Sequence, residues 1–102
     1  MEKEDFYRKC FLKDIALFKK IRVIGTVLKI NKKDFLIRDF TSECWVKTRK
    51  REIKVGDIVE IFGEVRKRDE KVFIIAHKIL KRGIYDELFR LLEILKYGKR
   101  MV

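Results

Sequence analysis

A chain of 102 residues holds one domain with one modest core. Hydrophobic residues make up 47% and charged residues 42%, with no proline, a balance similar to the lysine and glutamate enrichment of heat-adapted proteins and suggestive of a prokaryotic, archaeal or thermophilic source. A net charge of +11 draws polyanions before any specific contact forms, which makes nucleic acid the leading partner class. No stretch reaches the roughly 18 apolar residues of a membrane span, and the charged start does not read as a secretory signal, so the expectation is an intracellular protein of cytoplasm or nucleoid with no membrane partner. Cys10 and Cys44, the only cysteines, match no metal-ligand spacing and read as reduced packing thiols.

In chain order, a short apolar lead-in (1–20, with "FLKDIALF") precedes the strands. Ile21 to Ile30, "IRVIGTVLKI", is β-branched with one internal glycine, and Gly25 marks a bulge or sharp bend. Asn31, Lys32 and Lys33 turn into "DFLIRDF", and Thr41 to Glu43 turn into "CWVKTR". Gly56 and Asp57 supply turn chemistry before a fourth strand in which Val59, Ile61, Gly63 and Val65 share one face. After the polar turn "KRDE" the run "VFIIAHKIL" is the fifth strand, and Gly83 separates this barrel region (21–82) from a terminal helix (84–97).

Five short antiparallel strands bent by glycines suit a closed barrel, because closure hides strand edges. The expected fold class is all-β with a terminal helix: a five-stranded OB-fold barrel followed by a C-terminal amphipathic α-helix, in a single domain. The alternative, an SH3-type barrel, has shorter strands than Ile21 to Ile30 and Val72 to Leu80.

The ordered set "VIGTVLKI", "FLIRDFTSECWVKT", "KVGDIVEIFGEVR" and "FIIAHKI" with a closing amphipathic helix resembles one OB family, the middle and small subunits of replication protein A, archaeal replication protein A and telomere-capping relatives. The resemblance runs over Ile21 to Tyr97, and Asp39 followed by Thr41 is similar to the family's turn. It implies single-stranded DNA binding on the barrel, with RNA left open, and assembly through the helix with another OB-fold subunit or a second copy. The processes it implies are DNA replication, repair or end protection.

OB ligands lie across the second and third barrel strands, between the first and last hairpin loops. Alternation puts Trp45, Lys47 and Arg49 on one face of the third strand, opposite Cys44, Val46 and Thr48. Arg38 and Phe40 share the second strand, the first hairpin tip brings Lys32 and Lys33, and the last hairpin brings Arg66, Lys67, Arg68 and Lys71. Cations meet phosphates and flat rings meet bases, so Trp45 is the stacking candidate, with Phe40 and Phe62 behind it. Phe62 reads equally as packing beneath the terminal helix. The last hairpin, "VRKRDEKV", lacks the aromatic that DNA-binding members of the family carry there, so Arg66 or Arg68 would stack in its place.

In the terminal helix, Leu91, Ile84, Leu95, Leu88, Leu92, Tyr85 and Phe89 cover roughly 160° at about 100° per residue, where one contact face needs about 100°. The expected barrel-facing set is Ile84, Leu88, Leu91 and Leu95. Tyr85, Phe89 and Leu92 are left for an interface, which with Leu88 and Leu95 forms the candidate docking set, and Ile94 is isolated on the far side. The alternative is that "FLKDIALF" folds back over this surplus. No nucleophile and base surround His77, and no phosphate-cradling glycine loop or metal-ligand spacing occurs, so neither catalysis nor a cofactor or metal is expected.

Overall fold

The computed structural model describes residues 6–48, 52–83, 88, 89 and 91–96. Six strands form one sheet: β1 Arg8–Lys9, β2 Lys20–Ile30, β3 Asp34–Arg38, β4 Glu43–Lys47, β5 Ile58–Arg68 and β6 Lys71–Arg82, with a 3-10 helix at Leu12–Leu17. The order is β1-β2-β3-β4-β6-β5, and β2 also pairs with β5, which closes the sheet into a barrel of five strands with β1 attached outside the closure. β4 and β6 run parallel while the other pairs within the barrel are antiparallel.

Period-two alternation explains the core. Ile21, Val23, Val27, Phe35, Ile37, Cys44, Val46, Val59, Ile61 and Ile74 point inward and are buried. The lead-in is more than a prelude to the barrel. Leu12 and Ile15 join the same core cluster, so "FLKDIALF" plugs the barrel with these side chains, while its first residue, Phe11, lines a pocket with Leu88 and Leu91 of the terminal helix. Asp39 anchors this plug: its carboxylate accepts the Leu12 amide at 2.8 Å, the Thr41 amide at 2.7 Å, the Thr41 hydroxyl at 2.6 Å and the Ser42 amide at 3.0 Å. A nearly buried carboxylate holding several donors fixes the β3–β4 turn and the lead-in together.

The two mid-strand glycines have different jobs. Gly25 is no bulge. It sits just before the residue where β2 passes from β5 to β3, Thr26 pairing with both Ile58 and Arg38, and a Cβ there would lie 3.0 Å from the Arg38 carbonyl oxygen. The β2 irregularity falls later, between Val27 and Lys29. Gly63 faces a bulge in the opposite strand, where the register passes from Phe62–Lys78 to Gly63–Ala76. A Cβ on Gly63 would lie 2.4 Å from the Ile75 carbonyl oxygen and 2.7 Å from Ile74 Cγ2.

A second wall of the barrel is also covered. Glu60, only 1% exposed, bridges Arg22 Nε at 2.7 Å and Arg82 Nη2 at 2.7 Å, joining β2, β5 and β6. In the terminal helix, Leu91 and Ile94 are half-buried whereas Leu88, Phe89, Leu92 and Leu95 are exposed. Ile94 therefore replaces Leu88 and Leu95 as a packed position, and the Lys9–Glu93 pair at 3.4 Å ties the helix to β1. Ile84 and Tyr85 lie outside the described residues.

Replacing Gly63 with alanine drives a methyl group into the Ile75 carbonyl oxygen, so Gly63→Ala is expected to lower stability by about 2–4 kcal/mol, read as a shifted urea midpoint at unchanged slope. An unchanged midpoint would show that the β5–β6 approach is not tight.

Candidate nucleic-acid interface

The pairing registers assemble one row of outward side chains across five strands. Arg66 on β5 pairs with Phe73 on β6, Phe73 with Trp45 on β4, Trp45 with Leu36 on β3, and Leu36 with Lys29 on β2. Cys44, Val46, Ile37 and Ile74 between these positions point into the core, so the alternation that builds the core also builds the row. Trp45 and Phe73 are half-exposed neighbours at its centre, with cations at both ends. The next row places Lys47 beside Ile75, and the Lys47 ammonium lies 4.8 Å from the Phe73 ring centroid.

Phe73 was not a sequence-derived candidate, because "VFII" is an unbroken apolar run with no visible alternation. It lies close to the last hairpin, which itself has no aromatic residue. The hairpin tip is a two-residue turn in which Asp69 (φ 51°) and Glu70 (φ 66°) are both left-handed, and Arg66, Lys67, Arg68 and Lys71 around it are exposed. Lys32 and Lys33 are exposed at the other hairpin tip, beside the end of β4, where the Thr48 amide donates to the Lys33 carbonyl at 3.3 Å. Phe73 lies two residues past the start of β6 and Trp45 two past the start of β4, so the two tips bracket the aromatic pair from opposite ends of β4.

Not every candidate joins this surface. Arg38 is exposed on β3, opposite Glu43. Phe40 follows the strand in the Asp39 turn, packs edge-on against Phe11 with centroids 4.9 Å apart, and so stands beside Leu88 and Leu91, away from Trp45. Phe62 is 1% exposed beneath Tyr7, with Arg22 4.9 Å and Lys78 5.3 Å from its ring centroid, so it is neither a groove aromatic nor packing beneath the described part of the helix. Arg49 lies outside the described residues.

Charge is arranged as well as present. Arg66 Nε donates to Glu64 Oε2 at 3.0 Å, and this hydrogen bond, aided by the positive fields of Arg66, His77 and Lys20, holds the Glu64 carboxyl below the usual carboxylate range. Burial pushes the Cys44 thiol up to about 12, despite a backbone hydrogen bond from Ile74, so it packs as a neutral thiol.

No protein-family model matches the chain, and no curated protein matches it by sequence. Solved structures do match. The telomere-capping protein Ten1 from Saccharomyces pombe superposes with a TM-score of 0.71 at 16% identity, over 92% of this chain and 98% of Ten1. The chain has the OB fold. Two further solved structures match: a replication protein A heterotrimer bound to ssDNA, at TM-score 0.67 and 17% identity over 81% of this chain and 74% of that one, and the hypothetical protein ygiW from E. coli, at 0.63 and 20% over 74% and 90%. In OB terms the Trp45–Phe73 row crosses the wall where such barrels hold oligonucleotides.

Proposed function

We propose that this protein is a non-enzymatic OB subunit that binds single-stranded DNA across β3, β4 and β6 and assembles through its terminal helix with another OB subunit or a second copy. Work in DNA replication, repair or end protection follows from that role. The observation that carries the binding reading is the pairing of Trp45 with Phe73 between Arg66 and Lys29. Two rings on adjacent strands suit successive bases, each stack contributing about 1–3 kcal/mol, while cations at the row's ends and at both hairpin tips suit the phosphates between them. The structural neighbour solved with ssDNA and the telomere-capping neighbour support the same reading.

The assembly reading rests on the helix. Leu95, Leu88, Leu92 and Phe89 fall on one continuous stripe, 49% to 67% exposed, that runs outward from the half-buried Leu91. A contiguous apolar stripe of this kind marks an interface in a protein otherwise so charged.

Labelled oligo-dT should bind and quench the single tryptophan, and Trp45→Ala or Phe73→Ala should each weaken binding roughly 5- to 150-fold, as loss of one stack implies. With about four phosphate contacts, affinity should fall roughly fiftyfold between 50 and 200 mM salt. Absence of quenching and binding at low salt would refute this, and stronger competition by oligo-U would redirect it to RNA.

Phe89→Glu with Leu92→Glu should convert the assembly to a monomer in light scattering while circular dichroism stays that of the folded barrel. A wild-type protein that is monomeric at every concentration, and captures no OB partner, would sink the assembly reading.

A further inference from the structure

Opposite Gly63 the β6 register skips from Ala76 to Lys78, leaving His77 as the extra residue of a bulge. His77 and Lys78 are consequently exposed in succession, while Ala76 and Ile79 on either side pack against the core. Regular alternation cannot present two consecutive side chains to solvent from a core-forming strand. Bulges that re-aim a side chain recur beside binding sites.

A cluster is built on that histidine. The Tyr7 hydroxyl lies 2.8 Å from His77 Nδ1, and Glu64 Oε1 lies 3.7 Å from His77 Nε2. The Tyr7 ring stands edge-on to Phe62 at 5.5 Å, and the Lys20 ammonium lies 5.9 Å from its centroid. The charged and titratable groups around His77 thus come from every neighbouring element: Tyr7 from the segment before β1, Lys20 from β2, Glu64 with its partner Arg66 from β5, and Lys78 from β6 itself.

This cluster adjoins the aromatic row. Glu64 pairs with both Ile75 and Lys20, and Ile75 is the next outward residue after Phe73. Resting on the single-strand reading above, we propose that a bound strand leaving the Phe73 end of the row continues over Ile75 onto Tyr7, Lys20 and His77. The N-terminal segment is then part of the binding site and sets its length. Charge complementarity selects the occupant: Glu64 is already engaged by Arg66, which leaves the Lys20 ammonium and, once protonated, the imidazolium of His77 to meet phosphate. The Tyr7 hydroxyl faces one ring nitrogen of His77 and the Glu64 carboxylate the other, so the ring is held beside the strand's path.

Histidine is the side-chain type that ordinarily changes charge between pH 5 and 8, and this chain contains one. Thymine and phosphodiesters do not titrate there, so the pH dependence of oligo-dT binding reports whether the strand passes His77. The experiment measures anisotropy of labelled oligo-dT of increasing length at pH 5.5 and 7.5, at fixed ionic strength. The shortest oligomers that bind should do so equally at both pH values. Beyond a threshold of a few nucleotides, affinity should step up and become roughly three- to tenfold tighter at pH 5.5, as one added charge near a phosphate implies. His77→Gln should abolish the pH effect, and Tyr7→Ala with Lys20→Ala should remove the step while short oligomers bind as before. If Tyr7→Ala disturbs folding, His77→Gln still decides. Short oligomers that bind with no step, a pH effect that survives His77→Gln, or pH-independent binding at every length would overturn the extension alone. Failure of every length to bind would overturn the single-strand reading with it.

Discussion

The close approach of β5 and β6 at Gly63 is the constraint on which the rest of the wall depends. Because a strand's side chains alternate strictly, a slip of one residue exchanges inside for outside along its whole length. In β6 the bulge at His77 absorbs one residue, so Ile74 and Ala76 point inward before it and Ile79 points inward after it. Only a residue without a side chain can stand opposite while the backbone comes so near. Phe73 reaches the surface beside Trp45, and Phe62 is sealed under Tyr7, as consequences of this one insertion.

The outline of the barrel was legible because most of its strands are covered on one face only. "CWVK" alternates cleanly, and both the Cys44–Val46 core pair and the Trp45–Lys47 surface pair follow from it. β5 was harder: from Val59 to Gly63 both faces are buried, so alternation no longer separates groove from core, and Phe62 was misplaced for that reason. Phe73 was missed for the complementary reason, since an apolar run hides which of its members face outward. Phe40 lies one residue past Asp39, and the carboxylate's hold on the turn directs that phenyl ring toward Phe11. Such a side-chain to main-chain bond has no periodicity for a sequence reading to detect.

The helix illustrates a different limit. Its apolar arc is wider than one contact face, and composition alone does not say which edge of the arc meets the barrel. The Lys9–Glu93 contact and the shared lining of Leu88 and Leu91 with Phe11 and Phe40 join residues far apart in sequence, and no local pattern announces them. The half-buried positions are Leu91 and Ile94, and Leu88 and Leu95, which the sequence assigned both to the barrel and to the docking set, are exposed with Phe89 and Leu92.

Glu60 ties three strands together at one end of the wall. Its carboxylate is removed from water and held by two guanidinium groups, and one of them, Arg82, is the last residue of β6 before Gly83 and the helix. Breaking such a buried pair is costly even where forming it gains little, because one partner's loss strands a charge in a poor solvent. The barrel is therefore clamped at the point where the chain departs for the helix. Loss of the Glu60 carboxylate would leave Arg22 and Arg82 as two like charges flanking β5, so the clamp that joins three strands would become a source of repulsion between them.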